Sequence, residues 1–169
     1  ILFWSIALGG ASFDLLTKSA IHEWLGPPNQ RVPYPVIPEI LELQTSHNTG
    51  ALYGMGRNLP QSSLIFAGLS IVAAIAICYW LFVRGAAIER GLTIALALVM
   101  AGALGNCYDR LALGYVRDFV HFHVDAIGFD CAIFNFADNM LVAGASILFI
   151  LAMRPDQVSE SSVRSNAVG

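Results

Sequence analysis

The sequence predicts a membrane protein, mainly α-helical, with four transmembrane helices and a small extracytoplasmic β-sheet. Three observations carry that prediction. The 169-residue chain is 56% hydrophobic and only 12% charged, and its mean hydropathy is +0.64. Soluble domains run at about 45–50% apolar and about 25% charged residues. Four long apolar segments recur along the chain, and the connections between them alternate apolar and polar residues in the manner of strands. One integral membrane domain is expected over 1–153, followed by a disordered cytoplasmic tail over 154–169, which is polar and Ser-rich.

The first span is expected at about 1–20. Residues 1–13 have the apolar character of a secretory-signal core. Asp14 and Lys18 follow without a clean small-residue cleavage site, so this stretch is read as part of a membrane helix. Segment 21–61 is expected outside the cytoplasm. Pro27, Pro28, Pro33, Pro35 and Pro38 forbid a helix there, and Leu41-Glu-Leu-Gln-Thr45 alternates as a strand. The second span, 62–83, carries no charge and is long enough to cross about 30 Å of hydrocarbon. The third, 91–106, is short but rich in Ala and Gly (Ala95, Ala97, Ala101, Gly102, Ala103, Gly105). Small residues let helices approach closely, and they leave room for a groove beside this helix. Segment 107–134 is the second extracytoplasmic stretch. Val116, Asp118, Val120, Phe122 and Val124 form one alternating face, and a turn near Asp125-Ala-Ile-Gly128 leads to a second strand over 129–134. The last span, 138–153, ends before Pro155.

Orientation follows from the basic residues. Arg84 and Arg90 bracket the short loop 84–90, and Arg154 and Arg164 lie in the tail, whereas segment 21–61 holds only Arg31 and Arg57. The loop and both termini are therefore expected in the cytoplasm. The net charge of −3 gives no basic patch for nucleic acid. Cys78, Cys107 and Cys131 form neither a disulfide framework nor a zinc motif; a Cys107–Cys131 bridge is the one pairing left open.

Asp118 and Asp138 are the candidate catalytic residues. Each carboxylate lies in apolar sequence beside a span, where a charge is costly and points to function. Two carboxylates that converge cannot both ionise easily, so they share one proton, as in aspartic proteases. The plain alternative makes Asp118 an interfacial strand residue and Asp138 a helix-start carboxylate favoured by the dipole. Asn135, three residues before Asp138, is placed to orient a carboxylate. Asn106 and Asp109 share a helical face, and Arg110 is placed to meet a substrate carbonyl. Asn48 lies in a turn-forming His47-Asn-Thr-Gly-Ala51 and is placed to hold a substrate amide. Asp14 and Lys18 pair at i, i+4. His121 and His123 share a strand face with Asp125 nearby, too few ligands to read as a metal motif, so no metal or cofactor is assigned. Neither Gly-x-Ser-x-Gly nor His-Glu-x-x-His occurs.

Four blocks together resemble the bacterial lipoprotein signal peptidase (signal peptidase II) family: Asp14-Leu-Leu-Thr-Lys18; Asn48-Thr-Gly-Ala51; Gly102-Ala-Leu-Gly-Asn-Cys-Tyr-Asp-Arg110 with Gly114-Tyr-Val-Arg-Asp-Phe119; and Phe134-Asn-Phe-Ala-Asp138. The resemblance covers about residues 1–153. It implies an aspartic endopeptidase of the bacterial inner membrane, multi-pass, with its active site at the extracytoplasmic face. Such enzymes cut the signal peptide of prolipoproteins just before a cysteine carrying a diacylglyceryl group. Carried onto this chain, it makes Asp118 and Asp138 the catalytic pair and puts Asp14, Lys18, Asn48, Asn106, Asp109, Arg110 and Asn135 around the cleft. Asn48 and Arg110 are expected to contact substrate peptide, and Asn106, Asp109 and Asn135 to shape the site. Leu15, Leu52, Tyr53 and Arg117 depart from the family's usual residues. The expected partners are a prolipoprotein with a lipidated cysteine and membrane lipids, and the expected state is a monomer. Loop 49–60, with Gly50, Gly54 and Gly56 as hinges, is expected to close over the scissile bond. The rival readings are a proton-coupled carrier using the same aspartates, which would ordinarily show internal repeats and midplane charges, and a scaffold subunit.

Overall fold

A computed structural model describes residues 1–50, 56, 61–85 and 89–153. Its described residues contain helices α1 (Leu2–Leu25), α2 (Ser62–Cys78), α3 (Arg90–Leu113) and α4 (Phe136–Ala152), and strands β1 (Tyr34–Ile37), β2 (Leu41–Asn48), β3 (Val116–Val124) and β4 (Phe129–Asp130). The strands form one antiparallel sheet in the order β1-β2-β3-β4. Tail 154–169 lies outside the described residues, as does most of loop 49–60.

α3 is the central helix and packs against α1, α2 and α4. The core gathers Phe3 and Ala7 of α1, Leu96, Ala97 and Met100 of α3, and Ile77 and Leu81 of the second span. α1 buries a single stripe of Phe3, Ala7, Ala11, Asp14, Lys18 and Leu25, the spacing of one helical face. α2 behaves differently. It continues through a π-helical turn over Tyr79–Val83, and Leu64, Ile65, Leu69, Ile71, Val72 and Ile75 are all exposed. A helix that is apolar all round yet not enclosed by protein belongs in lipid. By length and composition, Ser62–Val83 and Arg90–Leu113 are long and apolar enough to cross a membrane.

Several boundaries differ from expectation. α1 runs five residues past Ala20, to Leu25, and stops at Gly26, whose φ of 77° breaks the helix before Pro27. α3 runs past Asn106 to Leu113. The polar block 106–110 reads in sequence as an exit from the membrane, but Asn106, Asp109 and Arg110 are buried and find partners inside the bundle. α4 opens at Phe136 because Asn135 caps it. β1 is an addition to the expected strands; at the sheet edge it tolerates Pro35. β2 continues three residues beyond Thr45, which puts Asn48 at a strand end. The strand expected over 129–134 shrinks to two paired residues, with Phe134 making a separate bridge to Val120. β3 does not bury one face only: Phe119 is buried beside Asp118 and meets Phe136 edge-on at 5.5 Å, while Phe122 is exposed.

The small residues of α3 serve helix packing more than a groove. A Cβ on Gly102 would collide with the carbonyl of Ala137 on α4, and one on Gly105 with the carboxylate of Asp14 on α1. Gly144 of α4 also lies tightly against the Ala95 carbonyl, where a Cβ would sit at 2.7 Å. Of the small residues named above, Ala103 lines an open groove between α2, α3 and α4. Because the obstacles at Gly102 are backbone and Leu141, Gly102→Ala is expected to destabilise the bundle by about 1–3 kcal/mol. Unfolding in mixed micelles checks this; Gly9→Ala, whose added Cβ meets nothing, is the control.

Candidate active site

The site sits where the first turn of α4, the C-terminal part of α3 and the start of β3 converge. Two bonding patterns hold these elements in place. Phe119 N and Val120 N both donate to Phe134 O, at 3.0 and 2.9 Å, and Phe134 N returns a bond to Val120 O at 2.9 Å. This bridge pins the residue before Asn135 against the strand that carries Asp118. Asn135 and Asp138 then form a reciprocal capping box: Asp138 N donates to Asn135 Oδ1 at 3.0 Å, and Asn135 N donates to Asp138 Oδ2 at 3.2 Å.

This cap fixes the side-chain amide of Asn135. A backbone N–H can only donate, so the amide oxygen faces Asp138 N and the NH2 group faces elsewhere. It donates to Asp118 Oδ1 at 2.6 Å and to Asn106 Oδ1 at 3.2 Å. Asn106 is oriented the same way. Lys18 Nζ, which has only donors, bonds its oxygen at 2.8 Å, and its NH2 group donates to Asp138 Oδ1 at 2.8 Å. Both oxygens of Asp138 thus accept N–H donors. Asp118 is 2% exposed. Burial first, and the neighbouring charge of Asp138 second, push its pKa up to about 7, against the pull of hydrogen bonds from Asn135 and Asn48. The two carboxylates therefore sit in different surroundings: Asp138 accepts two N–H donors, whereas burial opposes the charged form of Asp118.

Asp14 and Lys18 do more than pair at a helix end. Their ion pair, 2.7 Å long, is fully buried, and Asp14 Oδ1 also accepts from Ala137 N at 2.8 Å. α1 therefore holds both the first turn of α4 and the amide of Asn106. Asp109 does not face the cavity residues. Both its oxygens are taken by Arg117, with Nη2 at 2.7 Å and backbone N at 3.0 Å, and Lys18 Nζ lies 3.6 Å away. The sequence held a signal for this pairing in Arg117, unusual beside Asp118.

Asn48 and Arg110 are engaged within the chain. Asn48 Oδ1 accepts from Gly50 N at 2.9 Å, and its side chain also reaches Asp118. Arg110 Nη2 donates to Gly50 O at 2.9 Å, and its guanidinium lies over the Phe66 ring, 5.5 Å from the centroid. Arg110 Nε is buried with no partner among the described residues.

Two cavities meet here. One of about 210 Å³ is lined by Asn48, Asn106, Arg110, Asp138 and the segment Cys131–Phe134. The other, about 460 Å³, runs between α2, α3 and α4 along Phe66, Leu69, Val99 and Leu141. Asn106, Arg110 and Asp138 line both. Asp118 lines neither and is hydrogen-bonded to Asn135 and Asn48. Segment 131–134 and the apolar wall carry no signal in the sequence, since nothing in Cys131-Ala-Ile-Phe134 distinguishes a cavity wall from a strand. Cys131 and Cys107 are free thiols, so the bridge left open between them does not form.

The profile of signal peptidase (SPase) II matches residues 6–154. A lipoprotein signal peptidase of Rhodopirellula baltica is 35% identical over 160 residues, covering 88% of this chain and 70% of that protein. One from Pseudomonas fluorescens is 38% identical over 130 residues, covering 75% and 74%, and one from Staphylococcus aureus is 36% identical over 123 residues, covering 73% and 71%. A solved bacterial membrane enzyme, determined by the in meso method at 2.3 Å resolution, superposes with a TM-score of 0.78 at 29% identity, covering 94% of each chain. The carrier reading finds no support among these relatives, and the fold, the polar site and the matches agree that this chain is a member of the signal peptidase II family.

Proposed function

We propose that Asp118 and Asp138 activate one water molecule between them, and that this is how the chain, an aspartic peptidase by family, removes signal peptides from prolipoproteins. The single observation behind this reading is Asn135, whose side chain and backbone N–H bond the two carboxylates at once. Asp138 takes a proton from the water as its oxygen attacks the scissile carbonyl. Asp118 gives its own proton to the carbonyl oxygen. On collapse of the tetrahedral diol, Asp138 protonates the leaving nitrogen and a diol hydroxyl returns a proton to Asp118, so both carboxyl groups end as they began.

The substrate fits the setting. A diacylglyceryl group on the cysteine after the cut brings two acyl chains, worth about 0.8 kcal/mol per buried methylene in lipid. That anchors the scissile bond at the interface. All four helices cross the bacterial inner membrane in this reading, and the sheet and site lie at the extracytoplasmic rim. The apolar groove along Phe66, Leu69, Val99 and Leu141 leads to Asp138 and receives the signal helix. Arg110, whose buried Nε has no partner among the described residues, would meet a peptide carbonyl, and release of Gly50 O would free a second donor. The enzyme works as a monomer and needs no metal for the cut.

Incubating purified protein with a lipidated prolipoprotein and weighing the products tests this. The expected product begins at the lipidated cysteine, and the unlipidated twin is spared; equal rates would contradict the substrate assignment. The pH profile carries a second expectation. Asp118 acts while protonated, and its pKa is raised to about 7, so the active form is present below that value and is lost as pH rises through it. kcat/KM should fall about tenfold per pH unit above 7. A rate flat to pH 9 would remove the proton-donor role of Asp118.

A further inference from the structure

On the sheet, apart from the carboxylate pair, a second cluster of ionisable side chains has no part in the cleavage chemistry. Glu42 of β2 and His121 of β3 are cross-strand partners. His123 follows two residues later on the same face, and the two rings lie 5.0 Å apart at 27°. The sequence places only Asp125 near these histidines; the sheet register adds Glu42. One ligand atom each from Glu42, His121 and His123 falls within 4.8 Å of the others, and all three residues are half-buried.

The outer partners of the rings decide what the cluster suits. His121 Nδ1 lies 2.7 Å from Glu42 Oε1, and its Nε2 lies 2.7 Å from Asp130 Oδ1. His123 Nε2 lies 3.9 Å from Glu42 Oε2, and its Nδ1 lies 2.8 Å from Asp125 Oδ1. Each ring therefore turns one nitrogen toward Glu42 and the other toward a separate carboxylate. Metal-binding histidines are oriented in this way, with the distal N–H donated to a carboxylate that fixes the tautomer. Three carboxylates around two imidazoles also leave excess negative charge, which a cation would neutralise. Two imidazoles and one carboxylate favour zinc and its first-row neighbours over magnesium or calcium, which prefer all-oxygen sites.

We propose that Glu42, His121 and His123 bind one divalent cation of the zinc class on the sheet, at a site separate from the aspartate pair. With Zn–N bonds of about 2.0–2.1 Å, tetrahedral ligand atoms stand about 3.3 Å apart; His121 Nδ1 and Glu42 Oε1, now hydrogen-bonded at 2.7 Å, would part to admit the ion, and His123 Nε2 and Glu42 Oε2, at 3.9 Å, would close on it. The ion would clamp β2 to β3, and through Asp125 and Asp130 it would also hold the turn after β3 and β4. Its role is to stiffen the platform that carries Asp118.

The test titrates ZnCl2 into tag-free full-length protein in detergent by calorimetry, beside Glu42→Gln and His123→Ala. The expected result is one zinc per chain, an affinity at least 30-fold weaker in each variant, and a zinc-dependent rise in Tm seen only in the wild type. MgCl2 should produce neither effect. Glu42→Gln keeps the side-chain shape, so it remains informative if His123→Ala folds poorly. Absence of saturable one-to-one binding, or wild-type affinity in Glu42→Gln, overturns the site. Both variants should still cut the lipidated substrate; loss of cleavage together with zinc affinity would overturn its separation from the peptidase residues.

Discussion

Asp118→Asn and Asp138→Asn should each lower prolipoprotein cleavage by about 10³-fold or more, since general acid–base groups contribute about 10²–10⁴-fold and these two act in the same step. Neither change should unfold the protein. Asparagine has the shape of aspartate, and an amide in place of Asp118 removes a carboxyl whose ionisation is already opposed by burial. In the Asp138→Asn variant the new amide keeps one oxygen, which can serve Asn135 N or Asn106 Nδ2 but not both. A modest loss of helix-cap strength, about 1 kcal/mol, is therefore expected in that variant alone. Product mass and Tm, measured on the same preparations, separate the two effects. Cleavage within tenfold of wild type in either variant would end the pair mechanism.

The largest expected stability effect lies at Lys18, away from the cavities. Lys18→Met should cost about 3–5 kcal/mol, the range found when one partner of a buried ion pair is removed. The methionine fills the space but leaves Asp14 buried without its cation, and Asp109 with Arg117 alone. Cleavage should fall as well. Without the Nζ donor at its oxygen, the Asn106 amide is free to turn over and present oxygen to Asp138, where two acceptors would repel. The double variant Asp14→Asn/Lys18→Met removes both charges and should recover most of the stability. Denaturation in mixed micelles decides this; a Lys18→Met protein within 1 kcal/mol of wild type would show the pair to be dispensable.

Much of the site could be read from residue order. The two aspartates stood out because each was a charge in apolar sequence, and the three-residue spacing of Asn135 and Asp138 already contained the capping box. Spacing could not show how the amides are oriented, because that depends on Lys18 reaching Asn106 across 88 positions of chain. The polar run Asn106–Arg110 misled for a related reason. Local hydropathy ends a span there, whereas the fold buries those groups by pairing Asp109 with Arg117 and Arg110 with the Gly50 carbonyl. The glycines of α3 were recognisable as close-packing residues, but sequence alone could not say which neighbour they admit. The edge strand β1 was hidden because prolines argue against sheet as well as helix, and only an edge position removes the objection.

In the proposed mechanism, the cap at Asn135 ties catalysis to folding in a way that bears on drug escape. A compound wedged against that amide would meet a side chain that also starts α4 and aligns both carboxylates. Any replacement that dislodged the compound would surrender the first turn of a helix and the acid–base pair together. Resistance by substitution at this position should therefore be rare, and bacteria selected against such an inhibitor should instead change the apolar groove wall or produce more enzyme.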